Sequence, residues 1–167
     1  MTDQKMKSLI ERIGLTMARY RVLAKSRLIT RMTLGRMGAD LDIAYLDMME
    51  LVGRCARKGQ EVTVGTVAEL MRIDPSRASR AVAQLVDQGY FHRDVSQEDA
   101  RRSVLFLTDK GQKVLHDKVE VKLGLISRIV EDWPEEDIAR FADLYGRFLD
   151  DFERVAADQL REQQDEG

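Results

Sequence analysis

Five side chains on one short stretch, Ser76, Arg77, Ser79, Arg80 and Gln84, fall opposite an apolar stripe. The stripe is Ala78, Val82, Leu85 and Val86, spaced i, i+4, i+7 and i+8, which predicts a helix with a hydrogen-bonding outer face. All five side chains can donate. Such a face fits the major groove of duplex DNA: arginine bidentate to guanine O6 and N7, glutamine to adenine N6 and N7, serine to base or phosphate. The first amides of the same helix offer a further place for a phosphate. Further along, Asp99-Ala-Arg101-Arg102 closes a polar loop between two β-forming stretches. An arginine on a protruding hairpin can enter a minor groove, where negative potential is focused.

No competing chemistry is spaced to work. His92, His116 and the single cysteine, Cys55, make no metal-ligand pattern, so no zinc or other cofactor is expected. There is no H-E-x-x-H, glycine-rich phosphate loop or G-x-S-x-G, and the acidic pairs near the C-terminus read as a solvated polar face. The chain is therefore not expected to be an enzyme.

The elements that must position these residues follow from periodicity and capping. Met6, Leu9, Ile10, Ile13, Met17 and Tyr20 predict one long helix over about 4–32, with Leu15, Val22 and Ile29 on a second apolar face. A glycine-marked break is expected at Leu34 to Gly38. A helix over about 41–57 ends at Lys58-Gly59-Gln60, and Glu61-Val62-Thr63 reads as a short strand. Thr63 then caps a short helix over 64–71. Asp74 caps the donor-bearing helix, with Pro75 at its first position and Gly89 past its end. Tyr90 to Asp94 and Ser103 to Thr108 read as the two strands of a hairpin. Thr108 caps a long helix reaching about Asp132, and Trp133-Pro134 separates it from a final helix with an acidic first turn. Trp133, Tyr20, Tyr45 and Tyr145 read as core or interface aromatics in preference to a ligand pocket.

Composition agrees. The 167 residues are 44% hydrophobic and 34% charged, which is globular and not disordered. One cysteine excludes an intrachain disulfide, only two prolines interrupt the chain, and no run is long and apolar enough to span a membrane. Met1 to Leu9 lacks the apolar stretch of a signal peptide, so a cytoplasmic location is expected. The net charge of −2 hides a gradient. Residues 1–58 carry twelve Lys and Arg against six Asp and Glu, residues 59–113 eight against eight, and residues 114–167 seven against fifteen. An acidic end can keep a chain soluble while a basic face elsewhere binds. Arginine outnumbers lysine, 19 to 8, which a GC-rich genome would also produce.

The stretch DPSRASRAVAQLVDQGYFHRDVSQEDARRSVLFLTDKG resembles the winged-helix core of the MarR family of bacterial transcription regulators. The wing pattern D-x-R-x-x-x-L-x-L-T-x-x-G is met by Asp99, Arg101, Leu105, Leu107, Thr108 and Gly111. The upstream TVGTVAELMRIDPSRASRAVAQLV is similar to that family's two helix-turn-helix helices. The resemblance implies a homodimer with intertwined terminal helices on a pseudo-palindromic operator, often a repressor released by a small ligand or by thiol oxidation. It also implies that Arg101 is the minor-groove arginine and that Asp99 pairs with it and shapes the wing tip. Thiol sensors of the family carry their cysteine in the first helix. Cys55 lies late in the second; it reads as a buried, inert thiol in preference to a redox switch, which the neighbouring Arg54, Arg57 and Lys58 would favour by lowering a thiol pKa.

The expected fold is mainly α with a small β-hairpin wing: a winged helix-turn-helix with N- and C-terminal dimerisation helices. Residues 1–40 would be the N-terminal dimerisation helix, 41–112 the DNA-binding domain, and 113–167 the C-terminal dimerisation helices. Helices apolar on more than one face need partners on both sides, and a second copy supplies them. The expected partners are double-stranded DNA, a second copy and a small-molecule effector, with no membrane. The competing function is a winged-helix protein-interaction module without DNA.

Overall fold

The computed structural model describes residues 3–37, 41–96, 99 and 101–165. The elements are α1 (Asp3–Lys25), α2 (Leu28–Met37), α3 (Ile43–Arg57), α4 (Val64–Met71), α5 (Pro75–Asp87), β1 (Phe91–Val95), β2 (Ser103–Leu107), α6 (Asp109–Ile129) and α7 (Glu135–Asp165). β1 and β2 pair antiparallel, with Phe91 opposite Leu107 and Val95 opposite Ser103. The expected class, mainly helical with a two-stranded wing, is the observed one. The chain divides into two compact units, residues 1–123 and 124–167.

The first unit is built on one core. Leu46, Met49 and Val52 of α3, Val67 of α4, Val82 and Leu85 of α5, Phe91 of β1 and Leu105 of β2 are all buried within it. Each large side chain removed from water in this way contributes about 1.5–3 kcal/mol. The stripe read from residues 78–86 faces inward as expected: Ala78, Val82 and Leu85 are buried and Val86 is half-buried. Cys55 is buried in the same cluster. By contrast, α1 has no buried residue along its 23 positions. In the second unit, Trp133 meets Phe141 edge-on at 5.8 Å, and Phe141 stacks on Tyr145 at 5.6 Å. These aromatics remain substantially exposed, as do Leu144, Leu149, Phe152 and Val155 along α7.

Four local expectations are corrected. The helix expected over 4–32 is two helices. Arg27 takes the left-handed conformation, φ 53°, and Ser26 closes the end of α1 by donating from Oγ to the Leu23 carbonyl at 2.6 Å. The Arg27 guanidinium then pairs with Asp47 of α3 at 3.0 Å, so a tertiary ion pair accompanies the break. The glycine-marked break is not at 34–37, which lie inside α2 with Gly35; Gly38 lies outside the described residues. Residues 61–63 are not a strand. Val62 is buried, and its carbonyl accepts from the Leu105 N–H at 2.8 Å, but the chain then turns into the Thr63 cap. Finally, α6 ends at Ile129, short of Asp132.

Candidate nucleic-acid interface

The turn that presents the donor face is fixed at both ends. Thr63 Oγ1 accepts from the Thr66 N–H at 3.1 Å, and the Thr63 N–H donates to Thr66 Oγ1 at 3.2 Å, a reciprocal cap on α4. Arg72 ends α4 in the left-handed region at φ 53°, and the Ile73 N–H donates to the Ala68 carbonyl at 3.0 Å. The chain thereby reverses within Arg72 to Asp74 and starts α5. Asp74 Oδ1 accepts from the Ser76 N–H at 2.8 Å and from the Arg77 N–H at 3.3 Å, and it also accepts from the Ser76 hydroxyl. The Ser76 hydroxyl, followed by these two amides, holds the Asp74 carboxyl below its ordinary range.

This geometry alters what the first turn of α5 can bind. The amides expected to hold a phosphate already serve the Asp74 carboxylate, whose charge would repel one. The same bond spends the Ser76 hydroxyl proton, so Ser76 faces outward as an acceptor. Arg77, Ser79 and Arg80 are exposed on α5. Arg80 is braced from Nε to the Ser76 carbonyl at 3.4 Å, which leaves its terminal nitrogens for a partner. Gln84 is also exposed, but its Oε1 accepts from the Tyr45 hydroxyl of α3. Its amide NH₂ is therefore the group presented.

The loop between β1 and β2 is held from within. Arg101 and Arg102 are exposed. Asp99 Oδ1 accepts from the Arg101 N–H at 3.0 Å, and the Asp99 carbonyl accepts from the Arg102 N–H at 2.9 Å. Asp99 thus meets Arg101 through its backbone, and the two side chains form no ion pair. The Arg102 carbonyl accepts from the Ser96 N–H at 2.9 Å, closing the loop. On the hairpin itself, His92 stacks on Phe106 at 5.3 Å, and Arg93 is a further exposed cation.

Sequence reasoning placed the outer face of α5 and the loop arginines but missed four contributing residues. Tyr45 looked like any aromatic of core or interface, and nothing local marks its bond to Gln84, 39 residues away. Glu61 and Ser96 meet across 35 residues, with the Ser96 hydroxyl 2.7 and 2.9 Å from the two carboxylate oxygens. Arg93 carries a local signal, a cation in the middle of a predicted wing strand. Among the described residues, no group of His, Cys, Asp and Glu is placed to hold a metal ion. No described helix is long and apolar enough to cross a membrane.

Known proteins share the fold. No curated protein matches the chain. Among solved structures, the chain is similar to the transcriptional regulator Tm0710 from Thermotoga maritima, with a TM-score of 0.69 at 19% identity, covering 86% of this chain and 97% of that one. A mutant of S. aureus MepR bound to an oligodeoxyribonucleotide matches with a TM-score of 0.59 at 14% identity, covering 83% and 97%. Streptococcus pneumoniae FabT in complex with DNA matches with a TM-score of 0.58 at 19% identity, covering 85% and 99%. Residues 49–102, from within α3 to the end of the wing loop, match the sequence model of the MarR family. Residues 49–102 are thus similar to the MarR family, the family that the wing pattern resembles, and the chain shares the fold of these solved structures.

Proposed function

We propose that the protein is a sequence-specific, double-stranded DNA-binding transcription regulator, a ligand-responsive repressor that acts in the cytoplasm as a homodimer on a pseudo-palindromic operator. It is a binding protein and not an enzyme. The observation that carries this proposal is the exposed donor face of α5, with Arg77, Ser79 and Arg80, followed by a hairpin whose loop exposes Arg101 and Arg102. Recognition helix and wing are the two parts a winged helix inserts into adjacent grooves. The DNA named with MepR and with FabT in their structures supports the same partner here. In this division of labour, residues 41–112 bind DNA and the segments 1–40 and 113–167 dimerise.

Support for a second copy comes from exposed apolar surface. Ile10, Ile13, Leu15, Tyr20, Val22 and Leu23 are exposed along α1, and Phe141, Leu144, Tyr145, Leu149 and Phe152 along α7. Exposed apolar rows of this extent mark interfaces. A two-fold dimer sets two recognition helices roughly one duplex turn, about 34 Å, apart. An effector that prefers another spacing weakens DNA binding by its differential affinity for the two states.

The test is selection of bound duplex from a random library, followed by titration of wild type and Arg101→Ala on the selected site. A two-fold symmetric consensus is expected. Arg101→Ala is expected to weaken binding and to flatten its salt dependence by about one unit of log–log slope. A folded wild-type protein that enriches no duplex at low ionic strength refutes the proposal.

A further inference from the structure

The loop that carries Arg101 is tied to a residue outside the wing. The segment between α3 and α4 is laced to β2 through the Val62 carbonyl, which accepts from the Leu105 N–H at 2.8 Å. One residue earlier, the Glu61 carboxylate accepts from Ser96 Oγ, at 2.9 Å to one oxygen and 2.7 Å to the other. Ser96 directly follows β1 and is only 5% exposed, a buried polar residue beside the exposed loop arginines. Its Oγ in turn accepts from the Asp99 N–H at 3.1 Å. Asp99 Oδ1 then accepts from the Arg101 N–H at 3.0 Å. Three linked hydrogen bonds thus run from Glu61 to the backbone of Arg101, and the first has an ionised acceptor, the stronger kind.

We propose that Glu61 is a positioning residue for the wing's DNA contact: through Ser96 and Asp99 it holds the Arg101 backbone in the conformation that binds. This rests on the DNA-binding function proposed above. The physical reason is ordering. A loop at the end of a two-stranded ribbon has few packing contacts of its own, and whatever freedom it keeps in the free protein must be lost on binding, at the expense of affinity. A carboxylate fixed on the segment that leads into α4 removes that freedom in advance. It also makes the wing arginine and the helix-turn-helix parts of one frame.

The experiment uses the full chain with the duplex selected by wild type, and the variants Glu61→Ala, Glu61→Gln, Ser96→Ala, Arg101→Ala and the Glu61→Ala/Arg101→Ala pair. Glu61→Ala is expected to weaken binding about tenfold and to lower the salt slope by about one. Glu61→Gln keeps an acceptor for Ser96 and is expected to stay within about threefold of wild type, as one neutral bond replaces a charge-assisted one. Ser96→Ala cuts the same chain from the other side and should match Glu61→Ala. The double variant should bind no worse than Arg101→Ala alone, because Glu61 acts only through the wing. Hydrogen exchange of the free protein provides a readout without DNA. In Glu61→Ala the amides of Asp99 and Arg101 should exchange faster, while those of Val82 and Leu85 in α5 should not change. Additive losses in the double variant, or unaltered exchange at Asp99 and Arg101 in both Glu61→Ala and Ser96→Ala, would overturn the proposal. A wild type that binds no duplex refutes the DNA function instead, and that outcome is separable because the exchange measurement still reads the tether.

Discussion

Replacing Gly111 with alanine tests how the wing, the recognition helix and α6 are joined. Gly111 is the last residue of the wing pattern and sits in the first turn of α6. A Cβ there would lie 2.4 Å from the Tyr90 carbonyl oxygen and 2.8 Å from a Leu107 methyl carbon. The methyl group can rotate away. The carbonyl is held, because it accepts from the Thr108 N–H at 3.1 Å and shares the Thr108 hydroxyl proton, at 3.2 Å, with the Gly89 carbonyl at 2.6 Å. Tyr90 is also tied to the end of α5, its N–H donating to the Leu85 carbonyl at 2.8 Å. A carbon rests against a carbonyl oxygen at about 3.3–3.6 Å, so α6 must move by about 1 Å. That movement stretches both Thr108 bonds past useful length. Overpacking costs about 1–3 kcal/mol, and the two weakened bonds add about 1 kcal/mol each. The better helix propensity of alanine returns about 1 kcal/mol. The net loss is about 2–4 kcal/mol, or roughly 5–15 °C in Tm for a chain of this size.

Urea unfolding followed by far-UV circular dichroism, at one fixed protein concentration, measures the loss as a lower midpoint at unchanged slope. Gly124→Ala is the control, since nothing lies within 4 Å of a Cβ there. In α6 that substitution should stabilise by about 0.5–1 kcal/mol. If Gly111→Ala matches wild type, or if both variants shift by the same amount and sign, the steric reasoning is wrong.

Three further predictions follow from the site. The Asp74 carboxyl is held below the ordinary aspartate range in the folded chain, so its contribution is complete above about pH 4 and is lost as pH falls through the folded value. Asp74→Asn, a neutral cap, should flatten that part of the acid limb of stability against pH; parallel curves for the two proteins would contradict it. Tyr45→Phe frees the Gln84 carbonyl and should change base preference at one position of each half-site about fivefold, the worth of one hydrogen bond, with no further change in a Gln84→Ala background. Library selection with all four proteins decides this, and an unchanged consensus rejects it. Phe152→Asp places a charge on the exposed apolar row of α7 and should yield monomer in sedimentation equilibrium, together with weaker operator binding; a dimer of unchanged stability would exclude α7 from the interface.

How much was legible depended on the range of the interaction. The α5 cap was readable because Asp74, Pro75 and the stripe from Ala78 to Leu85 act within a few residues of one another. The hairpin was readable because β-branched and apolar residues flank a polar loop, and its strands begin and end within one residue of expectation. The break at Arg27 was not, because no glycine or proline marks it and its ion pair to Asp47 lies twenty residues away. Gly35 misled for the opposite reason: an isolated glycine weakens a helix without ending it. Val62 supplied the apolar residue of a strand, but the Thr63 cap bends the chain after a single bond to β2.

The same distinction separates the identity of the site residues from their hydrogen-bonding state. Sequence named Ser76 and Gln84 as donors because both can be. In the folded chain the Ser76 proton is committed to Asp74, two residues away, and the Gln84 acceptor to Tyr45, 39 residues away. A groove-reading face is therefore set by both its outward side chains and the groups that hold them from behind. On α5 this turns a uniform row of donors into an ordered one: an acceptor at Ser76, charged donors at Arg77 and Arg80, and an amide donor at Gln84. Such an order offers an acceptor to base donors at Ser76 besides the donors it offers to base acceptors, which a uniform row of donors does not. If α5 reads DNA as proposed, Asp74 and Tyr45 therefore belong in any account of operator preference, although neither needs to touch a base.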